Sequence, residues 1–278
     1  MVESLSRVAE QLVRAGVPGS LGWEGLRLYT HFQPVYCVRR GGCIGYEALI
    51  RASQLDGAMF ETDRLFAEVP ADRSLLLDWV CRALHLRKFA TVDPGDCMLF
   101  MNIDPRAAMA DAPDAGAFGN LIRYYGLPPE RICVEVLQNE CADEGLLREA
   151  VAKYRALGAT IAMDDFGIGR SNFDRVHALR PDIVKVDRAM LARTVGDGKA
   201  RTMLPSMVGL LHQIGTKVAV EGVETASEAL LAIEAGGDYL QGNYFASPAA
   251  TLPDAKLLGG IFAQLLRVQA PRRFAAVG

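Results

Sequence analysis

No two of the six cysteines in this 278-residue chain (Cys37, Cys43, Cys81, Cys97, Cys133, Cys141) have C-x-x-C spacing. Thiols scattered in this way read as reduced, mostly buried small hydrophobes rather than as a disulfide framework, which points to the cytoplasm. No apolar run approaches the roughly 18 residues of a membrane-spanning helix. The N-terminal stretch MVESLSRVAEQLVRAG places acids and polar groups every few positions, so it lacks the apolar region of a secretory signal. There is no basic excess either: 30 Lys and Arg stand against 33 Asp and Glu, a net charge of -3. That excludes a broad basic face tracking a polymeric nucleic acid, but not a small anion held by local basic groups or metals. No Pro/Ser-rich linker, charge block or internal repeat divides the chain.

What is present is the composition of a packed globular protein, 50% hydrophobic and 23% charged. Leu5, Val8 and Leu12 recur at helical spacing and are closed off by Gly16, Pro18 and Gly19, which predicts a short leading helix, either packed on the main domain or contacting a partner. The expected division is a leading helix and connector over 1–21, one domain over 22–268 and a tail over 269–278. Strand patterns at 28–35 and 43–49 flank Gly41-Gly42 and read as an antiparallel hairpin. Beyond them helices at 72–89, 117–125, 144–157, 201–214 and 227–235 alternate with strands at 98–103, 132–137, 160–163, 183–186, 218–220 and 239–240. Such alternation over some 250 residues predicts an α/β fold, and a TIM-like (β/α)8 barrel fits the count better than an open sheet.

The polar residues fall in a pattern. Successive apolar strands end in Glu47, Asn102, Glu135, Asp164 with Asp165, Lys185, Glu221 and Gln241. In a barrel the C-terminal rim of the strands is where catalytic groups converge. Carboxylates gathered there repel one another and take up protons unless cations sit between them, so the pattern predicts metal. The donors are hard oxygens with no paired histidines or cysteines, which suits Mg2+ or Mn2+, with Ca2+ as an expected inhibitor, and argues against structural zinc. The adjacent Asp164 and Asp165 suggest two ions, an arrangement that stabilises the attacking and leaving oxygens of a phosphoryl displacement. Lys185, among the acids, is the candidate for orienting or activating the attacking water. Taken singly, each of these residues reads as readily as a solvated strand end or a turn; it is the series that carries the reading.

The segments FQPVYCVRRGGCIGYEALIR, FMNID, ICVEVLQNE, IAMDDFGIGRSNF, RPDIVKVD, VAVEGVET and YLQGNYFASP resemble, in order and spacing, those of the EAL domain family, over roughly residues 32–248. The resemblance implies a TIM-like barrel with an antiparallel first strand and an activity that opens cyclic di-GMP to linear pGpG. It implies Glu47, Asn102, Glu135 and Asp164 as ligands of one metal, Asp164 and Asp165 as ligands of a second, and Lys185 and Glu221 as the groups that handle the water. Gln241 and Glu224 match positions near the substrate, and Arg51 matches an arginine that holds a phosphate, a task suited to a forked guanidinium. A homodimer is also implied.

Three segments depart from the family pattern. Gln138 stands where a second glutamate usually tethers the loop after the paired aspartates; an amide keeps the hydrogen-bonding capacity and lacks the charge. Asn102-Ile103-Asp104 replaces the common N-L-S, and the stretch after Arg51 departs from the usual nucleotide-covering pattern. The expected activity is metal-dependent hydrolysis, and the alternative is a cyclic di-GMP receptor with poor turnover.

Overall fold

The computed structural model describes residues 2–16, 19–111, 116–136, 143–167, 173–196, 202–253, 260 and 263–265. The chain forms two compact units, Met1–Phe32 with Glu47–Ile161, and Gln33–Tyr46 with Ala162–Gly278.

The first unit opens with helix α1 (Val2–Ala15), which ends as Gly16 N–H bonds Leu12 O. Strand β1 (Ser20–Trp23) pairs antiparallel with β2 (Leu26–Cys37) across Glu24-Gly25. Both turn residues have positive φ, 47° and 82°, the backbone of a two-residue turn whose twist matches the strands. Strand β2 pairs antiparallel with β3 (Gly42–Gln54), as the hairpin pattern predicts, but both arms outrun the apolar stretches that signalled them, and their turn ends within Gln33–Tyr46 belong to the second unit. The end of β3 is prolonged by pairing with β4 (Met59–Phe60), and helix α2 (Thr62–Glu68) follows.

Helix α3 (Ala71–Val92) is buried on most sides, through Leu77, Trp79, Val80, Ala83, Leu84, Leu86 and Phe89 and the polar Asp78, Arg82 and His85. Two covers explain this. Thr30 and Phe32 of β2 meet its His85 and Phe89, and α1 packs against it with Ala9 and Val13 fully buried. The helix stops at Asp93, in left-handed conformation, whose N–H bonds Phe89 O. Then come β5 (Met98–Ile103), α4 (Pro105–Asp111), α5 (Gly116–Tyr124), β6 (Ile132–Val136) and α6 (Glu144–Ala156), with β5 and β6 parallel in register Asn102↔Glu135.

The second unit carries parallel strands β7 (Thr160–Phe166, whose first two residues belong to the first unit), β8 (Ile183–Val186), β9 (Lys217–Val220) and β10 (Tyr239–Leu240). The last of these pairs antiparallel with the turn end of β2, Tyr239↔Cys37 and Leu240↔Tyr36. Helices α7 (Phe173–Leu179), α8 (Arg188–Gly196), α9 (Met203–Gln213) and α10 (Ala226–Glu234) intervene. Val176, Leu204, Val208, Leu211, Ala229 and Ala232 bury against Met163, Val184, Val186, Val218 and Val220 of the strands. Parallel neighbours require such crossovers, and their strands, covered by helices, read as runs of Val, Ile and Ala. Helix α10 starts at a capping box in which Thr225 Oγ1 accepts from Glu228 N and the Glu228 carboxylate accepts from Thr225 N.

Candidate active site

In the first unit, Glu47, Asn102 and Glu135 lie on β3, β5 and β6. Asn102 and Glu135 are each the penultimate residue of their strand and sit side by side in the β5–β6 register. Glu47 departs from the strand-end expectation: it lies in the middle of β3, because β3 continues outward to pair with β4. Asn102 Nδ2 donates to Glu47 Oε1 at 2.8 Å. Only the amide nitrogen can donate to a carboxylate, so the carboxamide orientation follows. It leaves Asn102 Oδ1 buried and without a hydrogen-bond partner among the described residues. A buried acceptor in that state costs free energy unless something fills its lone pairs, and a cation is one such group.

Glu135 is fully buried and Glu47 nearly so. His85, close to Glu47, does not balance their charge: burial drives its pKa down to about 3, against the pull of Glu47, and the neutral ring is held by Thr30 Oγ1 at 2.8 Å from Nδ1.

In the second unit the register between β7 and β8 shifts by one, from Met163↔Val184 to Phe166↔Val186. Asp164 and Asp165 together therefore oppose the single residue Lys185. In an unbroken strand adjacent side chains point to opposite faces; a bulge releases that alternation and re-aims them. Asp165 takes the extra residue in left-handed conformation, φ 57°, and its N–H donates to Asp164 Oδ1 at 2.8 Å. The strand thus runs on through both aspartates to Phe166, beyond the 160–163 expected from the apolar pattern.

Lys185 is 1% exposed and lies between two carboxylates, Nζ to Glu221 Oε1 2.6 Å and to Asp164 Oδ2 3.8 Å. Glu221 is the first residue past β9 and Gln241 the first past β10. Gln241, buried, donates through Nε2 to Gln33 Oε1 at 3.1 Å, and Gln33 Nε2 donates to Asn243 Oδ1 and Ala246 O. The loop after Gln241 is pressed onto Val223: Val223 N donates to Gln241 O, and a Cβ at Gly242 would meet Val223 O at 2.1 Å. Gln33 was not singled out from the sequence; its signal was an amide in an otherwise apolar run of β2.

Two candidates are engaged elsewhere. Arg51 turns back on its own strand, Nη1 to Ile50 O 2.8 Å. Glu224 is exposed and pairs with Arg188 at 2.7 Å. Gln138 lies outside the described residues. Among the described residues no group of three or more His, Cys, Asp or Glu side chains stands ready to hold a metal ion; the acids share their surroundings with Asn102 in one unit and Lys185 in the other.

The EAL domain family model matches residues 20–248, and the chain belongs to that family. An uncharacterised protein of Azorhizobium caulinodans is 31% identical over 245 residues, covering 82% of this chain and 33% of that protein. The cyclic di-GMP phosphodiesterase RocR of Pseudomonas aeruginosa is 27% identical over 237 residues, covering 82% and 59%. The chain spans between about a third and three fifths of these two relatives.

Among solved structures, Bacillus subtilis YkuI in complex with the substrate c-di-GMP and calcium superposes with a TM-score of 0.76 at 27% identity, covering 88% of this chain and 63% of that one. Klebsiella pneumoniae BlrP1 with manganese and cyclic di-GMP gives 0.73 at 25%, covering 84% and 58%. The fold class is therefore the α/β, TIM-like barrel with an antiparallel first strand that the resemblance implied. No helix among the described residues is long and apolar enough to cross a membrane.

Proposed function

We propose that this chain hydrolyses cyclic di-GMP to linear pGpG in the cytoplasm, assisted by two divalent ions, Mg2+ or Mn2+. The observation that carries the reading is Lys185, buried between Glu221 and Asp164 opposite a bulge that holds two aspartates. Family membership supports it. The proposed metal ligands are Glu47, Asn102 and Glu135 in the first unit and Asp164 and Asp165 in the second. Their oxygens are the hard donors such ions prefer, and the buried Asn102 Oδ1 is in the state a ligand atom would occupy. The ions, when bound, supply Lewis acidity at the scissile phosphate.

The chain's own groups do the rest. Lys185, whose ammonium lies beside both carboxylates, is proposed to orient a water toward phosphorus. Glu221, 2.6 Å away, aims the ammonium. Water adds at phosphorus, the P–O3′ bond breaks, and the proton released by the water ends on the leaving 3′-oxygen. Arg51, after letting go of Ile50 O, is proposed to hold a non-reacting phosphate oxygen. Gln241, held by Gln33, and Glu224 are proposed to line the substrate.

The functional domain is proposed to span residues 22–268, after the leading segment 1–21 and before the tail 269–278. The homodimer is proposed on the outer face of α9. That helix buries Leu204, Val208 and Leu211, yet exposes Met203 and Leu210, with Ile214 just beyond its end; an element apolar on both sides calls for cover on both. A second reading, a receptor with poor turnover, is favoured by Gln138 in place of the family's tethering glutamate.

The deciding measurement follows cyclic di-GMP and pGpG by chromatography with Mg2+, Mn2+, Ca2+ and EDTA. Turnover with Mg2+ or Mn2+, binding without turnover in Ca2+, and none in EDTA are expected. Hydrolysis surviving exhaustive chelation would remove the metal mechanism. Binding with no turnover under any ion would replace the enzyme by the receptor.

A further inference from the structure

We propose that Asp78 and Arg82, a buried ion pair outside the ligand set, are positioning residues that hold the end of β5 so that Asn102 presents its carboxamide oxygen to a divalent cation. The inference rests on the metal reading of Asn102. Both residues lie on α3, one turn apart, Arg82 Nε to Asp78 Oδ2 2.6 Å, and they are 1% and 9% exposed. The guanidinium is fixed from several sides: its carbon lies 4.6 Å from the Trp79 ring centroid and 5.3 Å from that of Phe118, and Nη1 reaches Tyr154 Oη at 3.5 Å.

The pair's other end reaches backbone. Asp78 Oδ1 accepts the N–H of Asp104 at 3.2 Å, one residue past the end of β5 and two past Asn102. Asp104 in turn caps α4: its Oδ1 accepts Arg106 N at 2.7 Å, and its carboxylate is gripped by the Arg106 guanidinium at 3.0 and 2.7 Å. The joint between β5 and α4 is thereby pinned by its amide and by its side chain. From it the chain runs directly back to Asn102, whose Nδ2 engages Glu47 and whose Oδ1 has no hydrogen-bond partner among the described residues.

Filling this space with two charges is an uneconomical way to gain stability, since apolar pairs of similar volume usually do as well or better. What an apolar pair cannot supply is a directional acceptor for the Asp104 N–H. Losing a group that orients a metal ligand from behind typically costs about ten- to a hundredfold in affinity.

The test is the double variant Asp78→Leu/Arg82→Met, studied metal-free and with Mn2+. Its melting temperature without metal is expected to equal or exceed that of the wild type, amides of residues 101–104 to exchange faster, and Mn2+ affinity by calorimetry to fall about ten- to a hundredfold. In an Asn102→Ala background the same double change should have no further effect on Mn2+ affinity, because positioning acts through Asn102. Wild-type affinity in a folded double variant, or full additivity with Asn102→Ala, overturns the proposal. Should the double variant fail to fold, Arg82→Lys keeps the charge but not the forked geometry; intermediate Mn2+ affinity supports the inference and unchanged affinity refutes it. A wild type that binds no Mn2+ removes the metal reading and this inference together, an outcome distinct from the others.

Discussion

Replacing Lys185 by Met tests the electrostatics of the second unit directly. Methionine fills nearly the same volume in an otherwise apolar strand, so packing is preserved and the charge alone is lost. Two carboxylates then remain, Asp164 buried and Glu221 half-buried, with the ammonium that lay 3.8 and 2.6 Å away gone. Breaking a buried pair by deleting one partner costs about 3–5 kcal/mol. At about 2 °C per kcal/mol for a chain of this size, the metal-free variant should melt roughly 6–10 °C below the wild type. If Asp164 binds a divalent ion, that ion supplies the missing positive charge. Adding Mg2+ should therefore raise the melting point of Lys185→Met more than that of the wild type. Turnover should fall by at least about a hundredfold even at saturating Mg2+, since the group proposed to orient the water is gone. Differential scanning calorimetry with and without Mg2+, alongside the chromatographic assay, reads both. A variant that melts like the wild type without metal, or one that hydrolyses cyclic di-GMP at the wild-type rate, would refute the role assigned to Lys185.

Other expectations follow from single contacts. His85 is held neutral, with a folded pKa of about 3 set by burial against an ordinary 6.5. Its folded value is depressed, so the unfolded chain takes up a proton first as pH falls; stability is intact above about pH 6.5 and declines below it, by roughly 2 kcal/mol at pH 5. In His85→Gln the drop in melting temperature between pH 7 and pH 5 should shrink; an unchanged drop would show that other groups carry it. Gly242→Ala puts a methyl 2.1 Å from Val223 O, so the Gln241 loop must shift, and KM should rise with smaller loss of global stability; unaltered kinetics would detach that loop from the substrate. Leu210→Glu with Ile214→Glu should turn the proposed dimer into a folded monomer by sedimentation, and an unaffected dimer would locate the interface elsewhere.

The sequence by itself determined the longer strands and helices, though not the short elements β1, β4, α2, α4, α7 and α8, and the identity of the polar groups. Strand patterns of Val, Ile and Ala closed by Glu135, Lys185 or Glu221 are local signals, because a buried parallel strand must be apolar along its length and shows its change of character at its end. The hairpin glycines, the capping box at Thr225 and the serial motifs are local in the same sense.

Relations between distant residues were decided by tertiary structure. Asp164 and Asp165 escape the alternation of a strand only because a bulge inserts one residue against Lys185, and nothing in the spelling D-D-F states that register. The length of β3 beyond Glu47 comes from β4, a two-residue strand too short to carry a pattern. Arg51 and Glu224 look alike in sequence as free polar groups, yet one folds onto Ile50 O and the other onto Arg188. The pairing of Asn102 with Glu47, and the reach of Asp78 to the end of β5, join residues 55 and 26 positions apart. Contacts of that kind depend on how strands register and helices pack, and side-chain periodicity along a single element carries no information about them.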